Sequence, residues 1–281
     1  MEQFSLFAPE AGSVPTKRPG DQPEGMTVMI TVKAAPNPSE RYGETVCIAG
    51  IRLDPEKAGW VRLYPVNFRE LDSDRKFKKY DVVTLKAKPT PDDPRGESWR
   101  PIVDTVTTVH HLKGWARRWP HLADHVTDSM CGLLQAVRDN PPARSLAAVR
   151  PRKVLGLDIA PHPGWTREEQ AKIDKYVSQV ELPGMSRGPK TPLEAPRFKG
   201  WYRYLCQAAG CQGHRQGIID WEWVALQRRL ADRGDAAASE QLRVRFLDKI
   251  CAPENDLLFY VGNQAKRPQA FMVLGAFYPR R

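Results

Sequence analysis

From Met26 onward the apolar positions fall in short alternating runs. Residues 27–33, 44–52, 59–64, 80–87 and 97–109 are β-branched or alternate in polarity, and turn signals such as Pro55, Gly59 and the 89–96 loop separate them. Short strands this closely spaced predict a small antiparallel β-barrel-like domain over 26–112. OB-like, SH3-like and PUA-like windings all fit the pattern. Residues 1–25 carry Pro, Gly, Ser and charge with little apolar order and read as a flexible tail. Phe4 and Phe7 in that tail are candidates for docking on a protein partner.

The period then changes. Trp119-Pro120 reads as a helix start, with Leu122, Val126, Leu133, Leu134 and Val137 as its apolar stripe. A strand is expected at 153–158, and Thr166 with Glu169 forms a capping box for a helix reaching Val177. Residues 113–182 therefore read as a helical middle, and 183–196 as a Pro/Gly-rich linker. The last part, 197–281, reads as an α+β domain: a strand, a Cys/His loop, two helices and a closing hairpin. Its helical stripes are Ile219, Trp223, Leu226, Leu230 and then Leu242, Phe246, Ile250. The whole chain is assigned to the α+β class.

Charge alters this picture. The formal net charge of the 281 residues is +10, which favours a polyanionic partner because neutralised phosphates release counterions. Nucleic acid is the expected partner. No apolar run approaches the roughly 18–20 residues of a membrane span, and the opening residues lack a secretory pattern, so no membrane and a cytoplasmic location are expected. Five cysteines, an odd number, argue against a disulfide framework.

The chemistry concentrates after residue 196. Read as a strand, this segment sends Arg197, Lys199, Trp201 and Arg203 to one face and Phe198, Tyr202, Tyr204 and Cys206 to the other. A cationic face with an indole suits a phosphate backbone with a base to stack, and the aromatic face suits a core. Cys206, Cys211 and His214 follow at C-x4-C-x2-H spacing and are suitable ligands for structural zinc. Cys251 is the expected fourth ligand, with Asp220 as a substitute.

Two further groups carry candidate chemistry. In the barrel half, Arg62, Arg95, Trp99 and Arg100 could form a pocket that stacks and reads a base. Asp220 and Glu222 could serve a metal-dependent nuclease or phosphodiesterase, although both are also explained by the start of a helix. Two acids and a lysine converging on one point would support the enzyme, whereas N-cap geometry for Asp220 would remove it. Trp115, Arg117, Arg118 and Trp119 make another basic-aromatic patch, read as a solvated face near a domain junction. Phosphate-loop, dinucleotide and nucleophile-elbow motifs are absent. The expected function is nucleic-acid binding in DNA or RNA processing or in discrimination of foreign nucleic acid. A nuclease and an adaptor subunit are the alternatives.

Overall fold

The computed structural model describes residues 20–69, 71, 73–127, 129–179 and 190–281. Most of the tail, including Phe4 and Phe7, and residues 183–189 of the linker therefore lie outside the described residues.

The first half is built from β1 (Glu24–Lys33), β2 (Asn37–Ser39), β3 (Gly43–Arg52), β4 (Gly59–Val66), β5 (Asp81–Pro89) and β6 (Ser98–His111). The strand order is β1-β5-β6-β4-β3-β2, and an additional β1–β3 pairing closes five of these strands into a barrel. All the barrel pairings are antiparallel except β4 with β6, which run parallel through Arg62–Ser98 and Leu63–Trp99. With the short β2 set aside, this is the winding of an OB-like barrel. Its interior holds Val28, Ile30, Ile48, Val61, Leu63, Val83, Leu85 and Trp99.

The second half begins with α1 (Trp115–Leu122), β7 (Val126–Thr127), α2 (Met130–Asp139), β8 (Leu146–Val149), β9 (Pro151–Pro161) and α3 (Arg167–Val177). It continues with β10 (Phe198–Cys206), β11 (His214–Gly217), α4 (Trp221–Arg229), α5 (Asp235–Arg243), β12 (Leu258–Gln264) and β13 (Arg267–Phe277). A π-helical turn, Val244–Lys249, extends α5. The strands form a three-stranded sheet in the order β11-β10-β9 and a four-stranded sheet in the order β13-β12-β8-β7.

This changes the expected middle. Residues 113–182 do contain helices, and Thr166 and Glu169 do form the capping box. The same stretch also supplies β8, which pairs with β12, and β9, which pairs with β10 along nearly its whole length. The middle is woven into the C-terminal sheets, because the apolar run at 146–149 and the mixed apolar and polar stretch at 151–161 find partner strands far along the chain.

The two halves share a core. Met29, Ala49, Ile51 and Trp60 on the outside of the barrel pack against Leu146, Ala148, Leu258, Tyr260 and Leu274. Each such large side chain removed from water contributes about 1.5–3 kcal/mol, so the seam holds the halves in one fixed arrangement. No helix is long and apolar enough to cross a membrane among the described residues.

Candidate metal centre and nucleic-acid face

The period-2 reading of β10 holds. Phe198, Tyr202, Tyr204 and Cys206 are buried, Lys199 and Arg203 are exposed and Trp201 is half-buried. The buried side is fastened by hydrogen bonds as well as by packing. Tyr202 donates its hydroxyl to the Phe246 carbonyl at 2.6 Å, and Tyr204 donates to Gln216 Oε1 at 2.6 Å.

Where β10 ends, the chain turns through Gly210 and Gly213 and returns as β11. The turn brings Cys206, Cys211 and His214 together, and the fourth member is Cys131. One donor atom from each of these residues lies within 4.8 Å of all the others. Cys131 Sγ is 3.6 Å from Cys206 Sγ and 3.5 Å from His214 Nε2, and Cys211 Sγ is 3.3 Å from His214 Nε2. A tetrahedral ion bound by thiolates and an imidazole spaces its donors roughly 3.5–3.8 Å apart. The cluster therefore has the chemistry and the spacing to hold a metal ion.

Cys131 reaches the cluster from α2. Ser129 caps this helix by accepting a hydrogen bond from the Gly132 amide at 2.8 Å, which puts Cys131 in the first turn. There the positive end of the helix dipole favours a thiolate. The Cys206 amide lies 3.4 Å from Cys211 Sγ and donates to it. Burial opposes a thiolate at Cys206, but hydrogen bonds from the Cys131 backbone and from His214 outweigh it and bring this thiol down to about 6. Burial and the neighbouring thiols push Cys131 up to about 12.

Cys251 is not part of the cluster, which corrects the expected ligand set. It follows the π-helical turn, and its thiol donates to the Phe246 carbonyl at 3.4 Å. Burial pushes that thiol up to about 12. Asp220 is also engaged elsewhere.

The solvent face of the three-stranded sheet carries the basic-aromatic residues. Lys199 and Arg203 on β10 lie across from Ala160 and Gly156 on β9, and Arg203 also lies across from Arg215 on β11. The Arg215 guanidinium lies 4.3 Å from the centre of the Trp201 ring. Arg203 and Arg215 each donate at 2.9 Å to one oxygen of Asp158. The Arg215 hydrogen bond, with that of Arg203, holds the Asp158 carboxyl below its usual range. Arg152 and Lys153 on β9 are exposed as well.

Arg197 does not join this face. It donates to the Leu230 and Arg233 carbonyls and to Asp235, tying the start of β10 to the α4–α5 connection.

The pocket expected in the barrel half is not assembled as a pocket. Arg62 is buried and donates to Ser145 Oγ at 2.9 Å and to the Ser145 carbonyl. Ser145 in turn donates to the buried Glu97 from its amide and its hydroxyl. Arg95 donates to the Asn263 carbonyl at 2.9 Å and forms an ion pair with Asp93 at 2.6 Å. Burial opposes ionisation of Asp93, but hydrogen bonds from Arg95 and Ser98 bring its carboxyl down to about 2. Trp99 fills the barrel interior, and Arg100 alone of the four is exposed. Arg62 and Arg95 thus fasten the barrel to the second half.

Asp220 and Glu222 meet a lysine, but in a closed arrangement. Asp220 caps α4 by accepting from the Glu222 amide at 3.0 Å, and both its oxygens lie 2.9 Å from Lys79 Nζ. Glu222 is 3.4 Å from the same nitrogen. Burial alone would lower the Lys79 ammonium, but Asp220 and Glu222 hold it above its ordinary range. Asp220 is only 4% exposed, so its lone pairs serve the helix start and the ion pair. Sequence reasoning found neither Lys79 nor Cys131, because both partners come from distant elements.

No curated protein matches the chain. The sequence matches one domain of unknown function, DUF8758, over residues 24–124, which is the barrel with α1. It matches a second, DUF8757, over residues 126–281, a stretch that holds every member of the Cys/His cluster and the basic-aromatic sheet. Since that match covers more than half of its length, the chain belongs to the domain-of-unknown-function family DUF8757.

Proposed function

We propose that this is a nucleic-acid-binding protein whose contact surface is the β9–β10–β11 face, braced at one end by a structural zinc ion. The observation that carries the reading is the placement of Lys199, Trp201 and Arg203, with Arg215, on one open sheet face. Phosphates would be met by the lysine and arginines, and a base by the stacked Arg215–Trp201 pair. Thiolate and imidazole donors at tetrahedral spacing favour zinc over harder cations. Four protein ligands close the coordination shell, the pattern of a structural rather than a catalytic site. The enclosed position of Asp220 favours binding over nuclease chemistry.

Binding of labelled single-stranded and duplex DNA and RNA across a salt series tests the reading. Affinity should fall steeply as salt rises, because counterion release dominates such contacts. Lys199→Ala with Arg203→Ala should weaken binding roughly tenfold or more and flatten the salt slope. A flat salt curve, or an unchanged affinity in the double variant, would remove the proposed surface.

A further inference from the structure

A second basic-aromatic feature lies away from the sheet face, at the seam of the two halves. An open groove of about 940 Å³ runs between α1 and the end of β13. Trp115 and Phe277 line it, with ring centres 4.9 Å apart in an edge-to-face pair. Trp119 forms one wall, 6.0 Å from Phe277 and tilted 32° from it, and it is 36% exposed. The Trp115 ring is held from behind by Arg118, whose guanidinium lies 4.8 Å from it and 3.8 Å from Tyr80. The aromatic surface is thus backed by a fixed stack while Trp119 presents its ring to solvent.

The rim has the opposite character. Arg280 and Arg281 line the groove and are exposed. Arg150 lines it too and is paired with Asp256. A slot with flat aromatic walls beside a cationic rim is complementary to a molecule with a planar ring at one end and an anion at the other. A nucleotide combines those two parts, since bases stack on indole faces and phosphates pair with guanidinium groups.

We propose that this groove is a nucleotide-binding site, in which a base stacks on Trp119 and its phosphate is held by Arg280 and Arg281. The ligand chemistry, one base with one phosphate, is shared by a free mononucleotide and by the phosphorylated end of a single strand. The site stands on elements other than β9, β10 and β11, so it does not depend on the function proposed for that face.

Calorimetric titration of the full chain with AMP tests the proposal, with adenosine, ribose 5-phosphate and decanoate as comparators. AMP should bind saturably and more tightly than either of its halves. Trp119→Ala should weaken AMP roughly tenfold, the loss of one stacked base, and Trp119→Phe should restore most of the affinity. Arg280→Ala with Arg281→Ala should weaken AMP but leave adenosine unchanged. Trp119→Ala should leave the salt-dependent binding of an unphosphorylated single strand by the sheet face intact, which separates failure at this site from failure at that face. A 5′-phosphorylated single strand that displaces AMP where the same strand without its phosphate does not identifies a strand end as the ligand, whereas failure of both strands to displace AMP identifies the free nucleotide. No saturable AMP binding, AMP binding indifferent to Trp119→Ala, or preference for decanoate would overturn the proposal. So would self-association of the chain that is abolished by Trp119→Ala.

Discussion

Cys131 and Cys251 are both half-buried cysteines with apolar neighbours, and only their surroundings in space tell them apart. Cys131 lies among two thiols and an imidazole, and Cys251 against a backbone carbonyl. Cys131→Ser should therefore lose stoichiometric zinc, and Cys251→Ser should keep it, as read by elemental analysis of the purified variants. The reverse result would return Cys251 to the ligand set. C-x4-C-x2-H was legible because its members are close along the chain. Cys131 was not, since it is 75 positions from Cys206 and nothing local marks it beyond the Ser129 cap.

Lys33 gives a second prediction at this scale. Its ammonium sits 3.8 Å from the centre of the Phe68 ring and 4.8 Å from that of Trp221. Burial, reinforced by the nearby Lys79, lowers it from 10.5 to about 8, against the opposing pull of Glu222, Asp220 and Asp81. Between pH 8 and 10.5 the unfolded chain holds this proton more tightly than the folded one, so the group's contribution to stability rises with pH there. Below pH 8 the charged, desolvated lysine costs stability at full measure. Lys33→Met should raise Tm relative to the parent at pH 7, and that advantage should fade as the pH approaches 10. Thermal melts of both proteins across this range check the sign.

At the scale of elements, β10 shows what periodicity can and cannot deliver. Alternation assigned its two faces because a strand that is buried on one side leaves that record in the sequence. It did not indicate that Arg197 would turn away to bind the Leu230 and Arg233 carbonyls, because that depends on where α4 ends. Gly200 interrupts the inward-facing aromatic residues for a packing reason: a Cβ there would lie 2.7 Å from the Trp223 ring. Trp223 is itself fixed by its Nε1 donating to the Phe198 carbonyl at 3.1 Å. Gly200→Ala should destabilise the protein by about 1–3 kcal/mol through overpacking, measured by urea denaturation. It should also weaken nucleic-acid binding by displacing Trp201. An unchanged midpoint would mean that Trp223 can yield.

For the molecule as a whole, the barrel was read from its strands with bounds within a few residues, but the role of its arginines was not. A basic residue beside an aromatic one has the same local sequence whether it faces a ligand or another part of the chain. Arg62 faces the chain: it bonds Ser145, which bonds Glu97, and all three are buried. Arg62→Ala should cost about 1–3 kcal/mol, because it leaves the buried Ser145 hydroxyl and carbonyl without the donor they accept from. The shared core also predicts a single unfolding transition in calorimetry, with calorimetric and van't Hoff enthalpies that agree. Two separate transitions would show that the halves are energetically independent.

The covered side of the barrel has a further consequence. On OB-like barrels the sheet formed by the second and third strands is the surface that commonly receives oligonucleotides. Here the corresponding strands, β3 and β4, present Ala49, Ile51 and Trp60 to the chain's own second half. That half acts as a tethered ligand. Its local concentration is on the order of millimolar or higher for a short connection, so a free oligonucleotide would have to outcompete a permanent occupant. The nucleic-acid surface proposed above accordingly lies on the second half and not on the barrel.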